Sequence, residues 1–309
     1  MSVLYAVAAQ CLHAVLLALA MLAIPGLTGW LTARLSGRRG PPLLQPWFDL
    51  VRLLRKERLV TMRTSAVSAH APMLVFVATA TAAMLVPSFA AGMVLGPLAD
   101  PVAVLALLGL GRVSLVLAAM DSGTAAEAPH GRRRMRLTLL LEPSAMLAML
   151  AVLLLTEGGT LDQAVLVRRD DPLLGGAIGG PALVLLAVAL LAVVLADAAE
   201  PPDSASRGFS GDGAALLQAA SALRTVTWFN LLGVAAVPAA LAPPGSGFGA
   251  WPLALLIWAV RFLSLTAILA LTRAVFGATW PFRVPAALGL IAVLCLLAAL
   301  MVWAEAGAA

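Results

Sequence analysis

Residues 4–33 read LYAVAAQCLHAVLLALAMLAIPGLTGWLTA, a run without a single charged side chain. About 20 residues of helix cross the hydrocarbon core of a bilayer, so this one run is long enough to span a membrane. Seven more apolar runs follow, at 70–90, 101–120, 137–156, 181–199, 214–241, 251–276 and 284–304. The 309-residue chain is 62% hydrophobic and 11% charged, whereas soluble domains carry about 25% charged residues. Too few polar side chains exist to cover a water-facing surface. The reading is an all-α integral membrane protein of about eight transmembrane helices. It forms a single domain over residues 1–309, with one long polar loop at about 34–69.

Eight spans put both termini on one side, and the basic residues give the orientation. Arg34, Arg38, Arg39, Arg52, Arg55, Lys56, Arg58 and Arg63 fall in the first loop; Arg132, Arg133, Arg134 and Arg136 in the third; Arg207 in the fifth; and Arg273 and Arg283 in the seventh. The even-numbered loops hold only Arg168 and Arg169. Because basic loops stay in the cytoplasm, the odd loops are expected there and both termini outside, in a bacterial inner membrane. The net charge of +5 is then a matter of orientation and implies no nucleic acid. The first residues, MSVLYAVAAQ, have no basic segment of the kind that opens a signal peptide, and they read as the start of the first span. Cys11 and Cys295 lie in apolar runs and read as small core residues. His13, His70 and His130 lack metal-ligand spacing. GSGFG at 245–249 reads as a loop, and GLGR at 109–112 as glycines that let helices pack closely.

The first loop has internal order. Gly37, Gly40, Pro41 and Pro42 break the first helix, and PWFDLVRLLRKER at 46–58 follows as a short amphipathic helix. Trp47, Leu50, Val51 and Leu54 recur at helical spacing, with Arg52, Arg55 and Lys56 on the other flank. Asp49 near its start and cations near its end suit the helix dipole. Such a helix lies in the headgroup region or beneath a docked partner.

Charges at membrane depth carry the chemistry. Arg112, Arg224 and Arg261 fall inside the third, sixth and seventh spans, Glu142 in the fourth, and Asp197 at the end of the fifth, with Glu200 and Asp203 just beyond. An ionised side chain at the bilayer centre costs about 2.5–3.5 kcal/mol even on the lenient insertion scale. These groups must face one another or a hydrated cavity. The acids all lie toward the arginine-rich side, which makes a polar path from that surface to mid-membrane the natural construction, with Glu142 as proton carrier. The same charges also suit static interhelical ion pairs, and Asp197 and Glu200 also suit solvated helix ends.

GRRGPPLLQPWFDLVRLLRKE at 37–57 resembles the first cytoplasmic loop of the membrane subunit family shared by complex I (its H subunit) and the membrane-bound [NiFe]-hydrogenases. The formate hydrogenlyase branch is the nearer match. MSVLY, GR at 111–112, MDSGTA at 120–125, LEP at 141–143, FSG at 209–211, SALR at 221–224 and FRVP at 282–285 occur in the order found in that branch. The resemblance implies a non-catalytic anchoring and coupling subunit of an oxidoreductase complex, without a cofactor of its own. The [NiFe] centre and iron–sulfur clusters would sit in partner subunits, a hydrogenase-like large subunit and an iron–sulfur small subunit. Antiporter-like membrane subunits would complete the assembly. Arg38, Arg39, Gln45, Asp49 and Arg52 would dock the soluble arm. The proton path would map onto Glu142, Asp197 and Asp203, among the intramembrane Arg112, Arg224 and Arg261. The alternatives are the H subunit of a quinone-reducing complex and a purely structural anchor. The chain departs from the family in three places. LADAAEPPDSASRGFSG at 195–211 is short, with Gly208 and Phe209 replacing a glutamate and a tyrosine. Arg273 stands where the hydrogenase branch often has glutamate. AEAPHGRRR at 126–134 replaces a small-residue run.

Overall fold

The computed structural model describes residues 2–57, 65–121, 128–156, 159–170, 179–198, 208–236, 241–244, 246–276, 289, 293–297, 299–301 and 303. Among them the protein is a helical bundle with no strand, only an isolated bridge between Ala90 and Ala242. Its helices are α1 (Ser2–Leu35), α2 (Gln45–Leu54), α3 (Ala66–Leu85), α4 (Pro101–Asp121), α5 (Ala128–Thr156), α6 (Leu161–Asp170), α7 (Gly179–Asp197), α8 (Gly211–Ala236) and α9 (Trp251–Phe276). Four stretches are long and apolar enough to cross a membrane: Val3–Leu35, Ala66–Leu85, Pro101–Asp121 and Phe248–Phe276. The apolar parts of α5 and α7 are the shorter Thr138–Leu154 and Pro181–Asp197. Seven of the eight expected spans are thus helices. The eighth, 284–304, lies largely outside the described residues.

Boundaries moved where proline acts. The run at 70–90 ends as helix at Leu85, because Pro87 forces Val86 into extended backbone (φ −83°, ψ 119°). Ser65 caps the other end, its hydroxyl accepting the Val67 N–H at 3.2 Å. A positive φ of 71° at Gly37 ends α1. Pro25, Pro72 and Pro143 sit inside spanning helices, where neighbouring helices re-satisfy the freed backbone groups.

α8 is the axis. Gly, Ala, Leu and Val clothe it on all sides, and 19 of its 26 residues are buried. α1, α2, α3, α6, α7 and α9 all touch it. Up-and-down connectivity gives the bundle two ends. The basic end carries α2, Arg38, Arg39 and the start of α8. The closed end carries the N-terminus, residues 86–100, α6 and residues 241–250.

At the closed end the loops are tied to one another. Ala91 N–H donates to Ala242 C=O at 2.9 Å, and Ala242 N–H to Phe89 C=O at 2.8 Å. Trp251 meets Tyr5, Phe89 and Phe248 edge-on, with ring centroids 4.9–5.5 Å apart. Arg168 and Arg169, expected in a loop, are instead part of α6. Arg168 Nη1 donates to Ala235 C=O, and Arg169 Nη1 to Leu241 C=O at 2.8 Å. Cations on the last carbonyls of a helix offset its dipole, so α6 acts as the C-terminal cap of α8. Cys11 also departs from expectation: it is exposed on the bundle surface, whereas Cys295 is buried.

Candidate functional site

One guanidinium joins three helices. Arg112, mid-way along α4, donates from Nη1 to Glu142 Oε1 of α5 at 2.5 Å and from Nη2 to Asp197 Oδ1 of α7 at 2.7 Å. Trp228 of α8 lies against its other face, 5.8 Å from ring centroid to Cζ. Arginine suits the position because its planar fork offers separate donors to two carboxylates. Of the charges expected at membrane depth, Arg112 and Glu142 face one another in the structure. Asp197 is joined to the same cation.

Glycines make the room. A Cβ on Gly109 would come within 3.3 Å of the Glu142 carboxylate, and one on Gly111 within 3.1 Å of Arg224 Nη2. The GLGR glycines therefore seat charged side chains rather than bring two backbones together. Gly233 of α8 does the same for the Arg261 guanidinium, which occupies the space a Cβ would need.

Arg224 of α8 donates to Leu108 C=O of α4 at 2.8 Å and borders a cavity toward the basic end. Its volume is about 80 Å³, enough for two or three waters at about 30 Å³ each. Asp197, Arg224, Arg273, Thr28, Thr79, Ser221 and Thr225 supply the polar groups of its wall. Arg273 donates to Ala198 C=O at 2.7 Å, beside the end of α7. A wider cavity of about 280 Å³ continues outward between α1, α2 and α8, sharing Pro25, Ser221 and Ala222 with the first. Asp49 and Leu50 of α2 form its outer wall. Asp49 thus borders the outer cavity, and Asp197, bound to Arg112, borders the inner one.

Arg261 does not join this network. It donates to Ser88 C=O at 3.0 Å and reaches Asn230 Oδ1 at 3.5 Å, which also accepts the Trp258 indole N–H at 3.1 Å. His13 is fully buried in the same half. Its Nε2 faces Ala83 C=O at 3.1 Å and must donate to it, so Nδ1 accepts from Ser88 Oγ at 2.7 Å in the neutral ring. A lone histidine in an apolar run gave no sign of this role; only Ser88, beyond the helix break, completes it. Asp203 and Glu200 lie outside the described residues.

The sequence-inferred docking residues gather at the basic end. Arg38, Arg39 and Arg52 are exposed. Asp49 accepts from Gln45 Nε2 at 3.2 Å and pairs with Arg52 at 3.0 Å. α2 turns Pro46, Asp49 and Leu50 to the bundle and leaves Trp47, Phe48 and Leu54 exposed. No group of His, Cys, Asp or Glu suited to a metal ion occurs among the described residues.

Fold and buried charges together define a polytopic, all-α membrane protein. The chain belongs to the NADH dehydrogenase family, whose family model matches residues 8–206. It is 32% identical over 126 residues to formate hydrogenlyase subunit 4 of Escherichia coli (strain K12), a match covering 41% of each chain. Its fold matches a chain from the structure of the membrane-bound sulfane sulfur reductase, an archaeal respiratory membrane complex. The TM-score is 0.76 at 22% identity, over 95% of this chain and 99% of that one.

Proposed function

We propose that this chain is the membrane-anchoring and coupling subunit of a formate-hydrogenlyase-like complex, linking a cytoplasmic redox arm to proton movement. The observation that carries the reading is the Glu142–Arg112–Asp197 bridge, whose Asp197 borders a water-sized cavity. Its two carboxylates share one cation, and a buried acid beside a water-sized cavity can pick up and release a proton. The partial identity to formate hydrogenlyase subunit 4 supports the assignment. Arg38, Arg39, Gln45, Asp49 and Arg52 would dock the hydrogenase-like large subunit and the iron–sulfur small subunit. The [NiFe] centre and iron–sulfur clusters would reside in those partners and none in this chain. Antiporter-like subunits would flank it in the inner membrane.

Glu142→Gln tests the path. Gln keeps size and hydrogen bonding but cannot carry a proton. The variant is expected to assemble and to lose coupled proton movement in sealed vesicles, while Glu142→Asp keeps part of it. Failed assembly of the Gln variant would favour a static ion pair. The orientation reading puts the basic end in the cytoplasm. Phe48→Cys, on exposed α2, should therefore resist an impermeant thiol reagent in intact cells and react in inverted vesicles.

A further inference from the structure

Six threonines in the described helices follow one rule, from which Thr32, donating to Ala270 C=O at 3.5 Å, and Thr79 depart. Thr28, Thr81, Thr225, Thr227, Thr266 and Thr272 each donate their hydroxyl to the carbonyl four residues back, at 2.6–3.2 Å. This back-bond is the ordinary fate of a helical threonine. Thr79 of α3 is fully buried, and its Oγ1 has no hydrogen-bond partner among the described residues. Leaving a buried hydroxyl orphaned is costly, so a partner other than the described residues is expected. It lines the 80 Å³ cavity together with Asp197 and Arg224, and it flanks Gly111 beside the Arg224 guanidinium.

The other hydroxyls of that wall are already committed. Thr28 donates to Ile24 C=O, Ser221 to Gln218 C=O at 2.8 Å and Thr225 to Ser221 C=O. Each can only accept from cavity water. Thr79 alone among the described lining hydroxyls can donate and accept at once, and a group that relays a proton needs both capacities. The geometry points to Thr79 as the proton-relaying hydroxyl of the cavity, bound to ordered water and passing protons toward Asp197; this rests on the proton-path reading above.

The step balances within the water chain. An excess proton carried by one cavity water forms a new O–H bond on Oγ1, leaving neutral water behind, as the original hydroxyl proton leaves for the next water or for the Asp197 carboxylate. The hydroxyl then rotates to reset. No electrons move and no co-reactant is consumed.

The test compares wild type, Thr79→Val, Thr79→Ser and Glu142→Gln as assembled complexes in sealed inverted vesicles. A pH-sensitive dye reports proton movement, and redox turnover is assayed in parallel. Val matches threonine in shape without the hydroxyl. Thr79→Val should slow proton movement by about tenfold or more, on the low side of what a positioned proton-transfer group contributes. Thr79→Ser should restore most of the rate. A wild-type rate in Thr79→Val beside a dead Glu142→Gln overturns the relay and leaves the path standing. A wild-type rate in Glu142→Gln overturns the path and the relay with it. If Thr79→Val fails to assemble, a water-resolving structure of the wild-type complex decides. A water within about 3.2 Å of Oγ1 supports the relay; a hydroxyl bonded to Val75 C=O with no water beside it overturns it.

Discussion

The two ends of the bundle differ in how they satisfy their buried acids. At the closed end polar groups are satisfied by backbone: Asp162 by the Gly92 N–H, Arg168 and Arg169 by carbonyls at and just beyond the end of α8, and Ala91 and Ala242 by mutual loop pairing. In the basic half, Glu142 and Asp197 are satisfied by another ionised side chain, Arg112, and the nearest neighbour beyond is a cavity. Backbone partners are fixed by the fold, whereas side-chain partners can rearrange. The closed end thus relies on backbone partners, whereas the basic half adds to its backbone-bound Arg224 and Arg273 two carboxylates held by a third charge.

The comparison breaks most visibly at Arg112. Arg112→Leu leaves two carboxylates buried without their cation and should destabilise the protein by about 3–5 kcal/mol, read as a large fall in Tm in detergent. If the loss is no greater than for an ordinary core substitution, the triad is solvated and the contrast between the ends disappears. Gly233→Ala comes next. Its methyl group must displace Arg261, and overpacking of this kind costs about 1–3 kcal/mol. Gly109→Ala, whose Cβ has 3.3 Å to Glu142, should cost less in stability and more in proton movement.

The smallest effect belongs to Asp162. Its carboxylate accepts the Gly92 N–H at 2.9 Å at the closed end, and burial pushes it above its ordinary 3.8. A carboxyl raised in the fold contributes fully below its unfolded value, and that contribution is lost as pH rises through the folded one. Asp162→Asn should therefore narrow the fall in Tm between about pH 4 and neutral pH, because the amide has no charge to bury. Identical pH profiles for both proteins would mean that water reaches this carboxylate.

How legible all this was depends on the distance over which each signal acts. Hydrophobic runs are local, so the helices could be read directly, and Pro87 explains the end of α3. Membrane depth is also local, which is why Glu142 and Arg112 could both be placed among the charges that must face one another. Arg261 has the same depth signal but a different azimuth, and its partners Ser88 and Asn230 come from distant parts of the chain. α6 was read as loop because LDQAVLVRRD is short and charged and lies between the apolar runs; its Leu161, Ala164 and Val165 form a small buried face, and its helix is held by contacts with the end of α8. Thr79 was invisible for a similar reason. A threonine in an apolar run has an ordinary back-bonded fate, and only the helices packed around it show that it escapes it.

The glycines beside the buried charges reverse the usual tolerance of small residues. In most helices Gly→Ala is benign or stabilising. Here the bare faces of Gly109, Gly111 and Gly233 act as moulds for Glu142, Arg224 and Arg261. In a mutational scan these three positions should rank among the least tolerant in the chain. Their second-site suppressors should map to the charged partner, with Arg261→Lys, a slimmer cation, restoring a Gly233→Ala protein.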